Sequence, residues 1–324
     1  MARGQDLDTV LGALETTIGN VSDLSTLSVQ GSGQVWVNFE AETPEEVTKA
    51  SEFDFDYSFD LDKDFIRIDL DFTPFFEVFQ FFPGTNNTRI VQGNVGAIFT
   101  PLLFTSNGTL PSQSVGAIRR NQMLLHPHIL LRSALSSSSE EQGTGTAVSY
   151  DGMTEDGMEV LKLSHDPVSE IWVHVDVTSG TIAKIVTMES NPLVRDVPVE
   201  VVYSDWSSTD AEGGGISYPA MVEIFTLDSK TKIWEERRSG VQVDVTFPDD
   251  HFDLPATIDM NVEEDALLYG MQSHHVVEPF FHLGFPWPYD SPYGEQIVLA
   301  PGKYFGKSKN RDKNTSFLRD IFCV

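Results

Sequence analysis

His126-Pro127-His128 is the only H-x-H spacing in the chain. Two imidazoles so placed can share a zinc ion, but only where further ligands converge on it. Ile129-Leu130-Leu131 follow, so no Asp-His pair completes a site. Pro127 puts the two histidines in a helical hinge, where capping or packing is the expected role. His274 and His275, with Glu278 and His282, are the densest local group of metal-ligand types. They fall in an irregular stretch that imposes no coordination geometry. Asp54, Asp56, Asp60, Asp69 and Asp71 alternate with apolar residues. Carboxylates spaced that way line a flat strand face, whereas calcium requires a loop wrapped around it, so a solvated face is expected. Cys323 is the lone cysteine, which excludes an internal disulfide and a cysteine zinc site, and nothing beside it would activate the thiol. There is no G-x-S-x-G, P-loop or G-x-G-x-x-G spacing. The expectation is that the chain has no catalytic residue, no metal ligand and no cofactor of its own.

The residues that stand out instead are aromatic. Phe72, Phe75, Phe76, Phe79, Phe81 and Phe82 interrupt a strand-like alternation, and Pro83-Gly84 ends the run. So many rings exceed what one strand face buries, and Leu-rich helical segments occur nearby. The six phenylalanines are therefore expected either to fill the core between sheet and helices or to border an apolar site for a small hydrophobic ligand. Charge narrows the partners further. With 49 Asp and Glu against 21 Lys and Arg, the formal net charge is -28. A surface this negative repels phosphate backbones and anionic membranes, so no nucleic-acid partner is expected. No apolar run approaches the roughly 18 residues of a spanning helix. Met1 to Gly12 holds Arg3, Asp6 and Asp8 and no apolar core, and so does not read as a signal peptide. Asn20, Asn86, Asn107 and Asn314 begin N-x-[ST] sequons, which matter only for an exported chain.

The elements that must position these residues follow from periodicity. Leu7, Val10, Leu11, Leu14 and Ile18 share a helical face, with Asp6 as a cap and Gly19-Asn20 as a stop. Leu27 to Glu40 reads as a strand that Gly31 and Gly33 bend or bulge. Phe53, Phe55, Tyr57, Phe59 and Leu61 alternate with polar residues, turn at Asp62-Lys63-Asp64, and are answered by Ile66, Ile68, Leu70 and Phe72. That is a hairpin with one apolar and one acidic face. Arg89 to Thr100 continues as strand around Gly93-Asn94, and Ser112 to Leu135 reads as two helices broken at Pro127. From Thr146 to Phe247 hairpins recur, one turning at Ser179-Gly180. The fold expected is mainly β, an α+β arrangement with a strongly curved antiparallel sheet, or half-barrel, and helices on its concave face. It should occupy residues 7–255. An acidic and then Pro- and aromatic-rich linker is expected over 256–302, and a basic disordered tail over 303–324.

Around Asp176 to Tyr203 the string V-D-V-T-S-G-T-I-A-K-I-V-T-M-E-S-N-P-L-V-R-D-V-P-V-E-V-V-Y-S-D-W, which runs from Val175 to Trp206, resembles part of the N-terminal β-domain that precedes the catalytic domain in a group of metallo-β-lactamase-fold hydrolases. R-R-N-Q-M-L-L-H-P-H-I-L-L-R-S-A-L and T-L-S-V-Q-G-S-G extend the resemblance, and I-V-L-A-P-G-K-Y-F is similar to the first strand of the hydrolase domain. The resemblance implies a half-barrel similar to that of lipoprotein carriers. It would also imply zinc, but only in a hydrolase domain bearing H-x-H-x-D-H, a spacing that occurs nowhere in this chain. The chain is thus expected to be a non-catalytic accessory or binding domain separated from such a hydrolase. A truncated zinc-dependent hydrolase and a stand-alone carrier of a hydrophobic ligand are the alternatives.

Overall fold

A computed structural model describes residues 6–19, 21–37, 48–74, 87–99, 108–109, 112–136, 147–164, 170–191, 195–209, 215–226 and 231–254. Helix α1 spans Leu7–Ile18. Six strands follow: β1 Thr26–Val37, β2 Thr48–Asp60, β3 Phe65–Pro74, β4 Asn87–Gln92, β5 Val95–Phe99 and β6 Gly108–Thr109. Helices α2, Ser112–Leu125, and α3, Pro127–Ser136, come next. The chain then forms β7 Ala147–Met153, β8 Glu159–Ser164, β9 Glu170–Asp176, β10 Thr181–Asn191, β11 Arg195–Ser208, β12 Ser217–Thr226 and β13 Thr231–Val243. Phe75, Phe76, Phe79, Phe81 and Phe82 lie outside the described residues, as do His274, His275, Glu278, His282, Cys323 and everything expected of 256–324.

The strands make one mainly β structure, a 13-stranded antiparallel sheet in the order β6-β5-β4-β3-β2-β1-β13-β12-β11-β10-β9-β8-β7. Two meanders, β1 to β6 and β7 to β13, therefore meet where the first strand pairs with the last. Among the described residues β6 and β7 are the open edges, and α2 and α3 lie between them in the chain. Local pairings explain most of this order, since every strand pairing but one joins strands that are consecutive in sequence. Among the described residues only the β1–β13 pairing joins strands distant in sequence, and it sets Leu27 opposite Val243 and Val35 opposite Trp234.

The apolar face of β2 follows the expected alternation. Phe53, Phe55, Tyr57 and Phe59 are buried, while Asp54 is exposed. Asp60 departs from the expected solvated face. It is buried, accepts the Lys63 N–H at 3.0 Å and pairs with Lys63 Nζ at 2.9 Å, and so organises the β2–β3 turn. Asp69 is likewise engaged, with Arg67 Nε at 2.7 Å and with the Thr88 hydroxyl.

The bulge expected at Gly31 and Gly33 is present: the β1–β13 register shifts between Gln30 and Gly31. The glycines serve a second purpose. A Cβ on Gly31 would sit 2.1 Å from the Arg237 carbonyl oxygen and 2.7 Å from Phe55 Cζ. One on Gly33 would sit 2.2 Å from Phe53 Cζ and 2.5 Å from the Glu235 carbonyl oxygen. With no side chain on β1 at these points, rings from β2 lie across it and Phe53 reaches Trp234 of β13, centroid to centroid 4.4 Å.

After β13 the chain closes over the β3–β4 pair. Arg67 Nη1 donates to the His251 carbonyl at 2.9 Å and Gln92 Nε2 to the Phe252 carbonyl at 2.8 Å. Phe252 is buried, 5.8 Å from the Phe65 ring. These contacts tie the last described residues to the first meander.

Candidate functional site: a buried polar cluster beneath the helical hinge

α2 stops because Pro127 has no N–H to continue it and its ring disfavours a helical preceding residue. His126 is the residue between the helices. Its N–H donates to Gln122 O at 2.9 Å, closing α2, and its carbonyl accepts from Ile129 N at 3.0 Å and Leu130 N at 3.2 Å, opening α3. A helix end leaves its last carbonyls without intrahelical donors. Here they are met by side chains from elsewhere in the fold. Tyr203 Oη of β11 donates to Leu124 O, and Arg238 Nη2 of β13 donates to Leu125 O at 2.7 Å. The same device closes α1, whose Ile18 carbonyl accepts from His128 Nε2 at 3.3 Å. All three helices are thereby joined to one another or to the sheet, on the face that carries Tyr57, Tyr203 and Glu236.

Beneath the hinge sits an ion pair cut off from solvent. Arg238 Nη2 lies 3.2 Å from Glu236 Oε2, and both side chains are 0% exposed. Glu236 Oε1 also accepts from Tyr57 Oη at 2.8 Å and from Trp234 Nε1 at 3.1 Å. The guanidinium stands over the Tyr218 ring, 5.1 Å from its centroid. Tyr218 Oη is 2.6 Å from His126 Nδ1, while His126 Nε2 is 3.0 Å from Gln122 Oε1. Because an amide oxygen only accepts, this network implies a neutral imidazole: Nε2–H donates to Gln122 and Nδ1 accepts from Tyr218.

The surroundings favour the neutral forms of the two histidines and the three tyrosines. Burial pushes His126 well below the usual imidazole range, with the Arg238 charge adding to it. Burial also brings His128 down to about 4, against the opposing pull of the Ile18 carbonyl. Tyr57 is raised by burial and then by the nearby Glu236 carboxylate, and Tyr203 and Tyr218 are raised by burial. Phenols held protonated are poor nucleophiles. The chemistry this cluster supports is the fixing of helices to a sheet.

His126 and His128 thus serve the capping and packing role expected of them. The His128 ring stacks on Tyr218 at 4.7 Å. Among the described residues no three His, Cys, Asp or Glu side chains converge to hold a metal ion, and no helix is long and apolar enough to cross a membrane. Of the six phenylalanines expected to border a ligand, Phe72 is described. It is buried at the end of β3, opposite Phe53 and 5.4 Å from its ring. Phe53 in turn lies 6.0 Å from Phe55, and Phe55 stacks on Tyr57 at 4.6 Å. The rings form a continuous row that ends at the Glu236 cluster. Sequence reasoning did not single out Tyr57, Trp234, Glu236 or Arg238 as a group. The one signal available was the alternation Trp234, Glu236, Arg238 along β13, which places two charges on the face of a tryptophan.

No family model matches the chain, and no curated protein matches it either. Among solved structures, that of MucB in complex with MucA(peri) is similar over 74% of this chain and 100% of that one, at 8% sequence identity and a TM-score of 0.19. A likeness that distant carries no argument about this chain.

Proposed function

We propose that the chain is a non-catalytic binding module of the accessory kind that stands ahead of metallo-β-lactamase-fold hydrolases. Its sheet would curve as a half-barrel, as in lipoprotein carriers, with the helices on the concave side. Its ligand would be a small hydrophobic molecule lodged against the aromatic row. The observation that supports this reading most is the division of labour on the helix-bearing face. The buried polar side chains are occupied in holding the helices, while a continuous track of rings from Phe72 through Phe53 to Tyr57 runs beside them. The resemblance around Asp176 to Tyr203 supports the accessory assignment.

Titration of the full chain with a fluorescent long-chain fatty acid tests the reading. Saturable binding is expected, weakened about tenfold or more when Phe75, Phe76 and Phe79 are all replaced by Ala in a protein whose circular dichroism is unchanged. Absent binding, or binding indifferent to those changes, would leave the phenylalanines as core and remove the ligand from the proposal. Elemental analysis tests the other half. Purified protein should hold less than about a tenth of an equivalent of zinc. Stoichiometric zinc with chelator-sensitive hydrolysis of esters or β-lactams would replace the module with an enzyme.

A further inference from the structure

The segment that follows β13 is built like a strap. Thr26 pairs with Asp60, Asp60 with Phe65 and Phe65 with Gln92, so these residues form one row across β1 to β4. Residues 245–254 are fastened along that row. The Thr26 hydroxyl donates to Val245 O at 2.9 Å, the Phe252 ring lies 5.8 Å from Phe65, and Gln92 Nε2 donates to Phe252 O at 2.8 Å. The next row runs from Ser58 through Arg67 to Ile90 and holds the strap through Arg67, which donates to His251 O. Ser58 and Ile90 are buried, although their row faces away from Tyr57 and the helices. The fastenings are side-chain bonds to strap carbonyls and a ring contact, and none of the described strands extends into the strap. A segment held this way can open while the ladders of the sheet stay paired.

His251 sits at the centre of the strap. Its ring stacks on Phe247 at 4.7 Å and meets Phe252 edge-on at 4.8 Å. Its Nε2 is buried without a hydrogen-bond partner. A neutral ring can leave that nitrogen as a bare lone pair, but an imidazolium would bury a charged N–H there with nothing to accept it. The charged groups around the ring are Arg67 and Asp69 of β3, Asp56 of β2 and Asp250 of the strap itself. Asp69 is engaged by Arg67 and the Thr88 hydroxyl, and Asp56 by Gln30. Burial, and then the Arg67 charge, hold His251 below the usual imidazole range against the pull of the three carboxylates. We propose that residues 245–254 are an acid-released strap, shut while His251 is neutral and opened when its ring takes up a proton. A released imidazole binds protons near pH 6.5, so closure is fully present above that value and weakens as pH falls below it. Opening uncovers Ser58 and Ile90, and it moves the anchor of the chain beyond Leu254 from β4 back to the end of β13. The switch is independent of any ligand.

Hydrogen exchange of the full chain tests it, read by mass spectrometry at about pH 7.5 and about pH 5 and corrected for the intrinsic rate at each pH. The His251 and Asp253 amides bond to Pro248 O and Asp250 O within the strap. Their protection should fall about threefold or more at the lower pH, while the amides of β2 and β13 keep theirs. His251→Phe keeps an aromatic ring without the titration, and its strap should stay protected at both pH values. If that variant does not fold, the wild-type comparison of strap with strands still decides. Unchanged strap protection in the wild type overturns the switch. An equal fall in His251→Phe assigns the effect to the carboxylates and overturns the role of His251. Loss of protection in strap and strands together makes the strap part of the global fold and overturns its separate release.

Discussion

At the scale of single residues, the molecule turns on how one buried carboxylate is shared. Glu236 accepts from Tyr57 and Trp234 and pairs with Arg238, all without solvent. Desolvating two charges offsets much of their attraction, so such a pair is not by itself strong evidence of stability. Removing one partner is different, because it strands the other. Glu236→Leu should lower the unfolding free energy by about 3–5 kcal/mol, read from urea denaturation. Replacing Glu236 and Arg238 together by Met should cost clearly less than the sum of the single changes. If the two effects simply add, the pair is not coupled and the account given of the cluster is mistaken.

At the scale of elements, the hinge between α2 and α3 is where the sheet grips the helices. His126 and His128 lie inside that grip as neutral rings. An unfolded chain protonates them near pH 6.5, whereas in the fold His128 titrates at about 4. The unfolded state therefore binds more protons below about pH 6.5, and stability falls as pH drops through that window. Above it the contribution is fully present. For His128 alone, the shift from 6.5 to about 4 corresponds to about 3 kcal/mol lost on acidification. Unfolding midpoints measured between about pH 7 and pH 4 should show this decline. A His128→Asn protein should be less stable at neutral pH and should lose less on acidification. An equally steep decline in that variant would assign the acid sensitivity to carboxylates instead.

At the scale of the whole molecule, the net charge of -28 sets the conditions under which the sheet is stable. Part of the repulsion has an address. Asp54 faces Asp71 and Asp56 faces Asp69 directly across β2–β3. Gln30 Nε2 donates to Asp56 at 2.8 Å and Arg67 engages Asp69, but the exposed Asp54 and Asp71 oppose each other as like charges. Directly opposed like charges destabilise a strand pair, and salt screens them. Added sodium chloride should therefore raise the melting temperature. Asp71→Lys should stabilise the protein by about 0.2–1 kcal/mol at low ionic strength, with the gain shrinking as salt is added. A gain that persists at high salt would have to come from packing instead of charge.

Much of this architecture is written in local periodicity. The hairpin from Phe53 to Phe72 and the turn at Ser179-Gly180 are decided within a few residues, because alternation and turn chemistry act over that range. The helix start at Asp6 and the break at Pro127 are equally local, since a cap and a missing N–H need no distant partner. Even the capping role of His126 and His128 was legible, because Pro127 stands between them. What sequence alone did not decide was which strand closes the two meanders and what fills the face beneath the helices. The β1–β13 register brings Gly31 beside Arg238 from more than half the chain away, and no local rule encodes that encounter. The expected solvation of Asp60 failed for the same reason that Glu236 went unnoticed. Alternation says which face a side chain occupies, but only tertiary structure says what covers that face and which donors meet it there. The pattern of apolar residues is a one-dimensional quantity and was readable as such. Burial and charge pairing around Arg238 depend on distances between remote residues, and those exist only once the chain has folded.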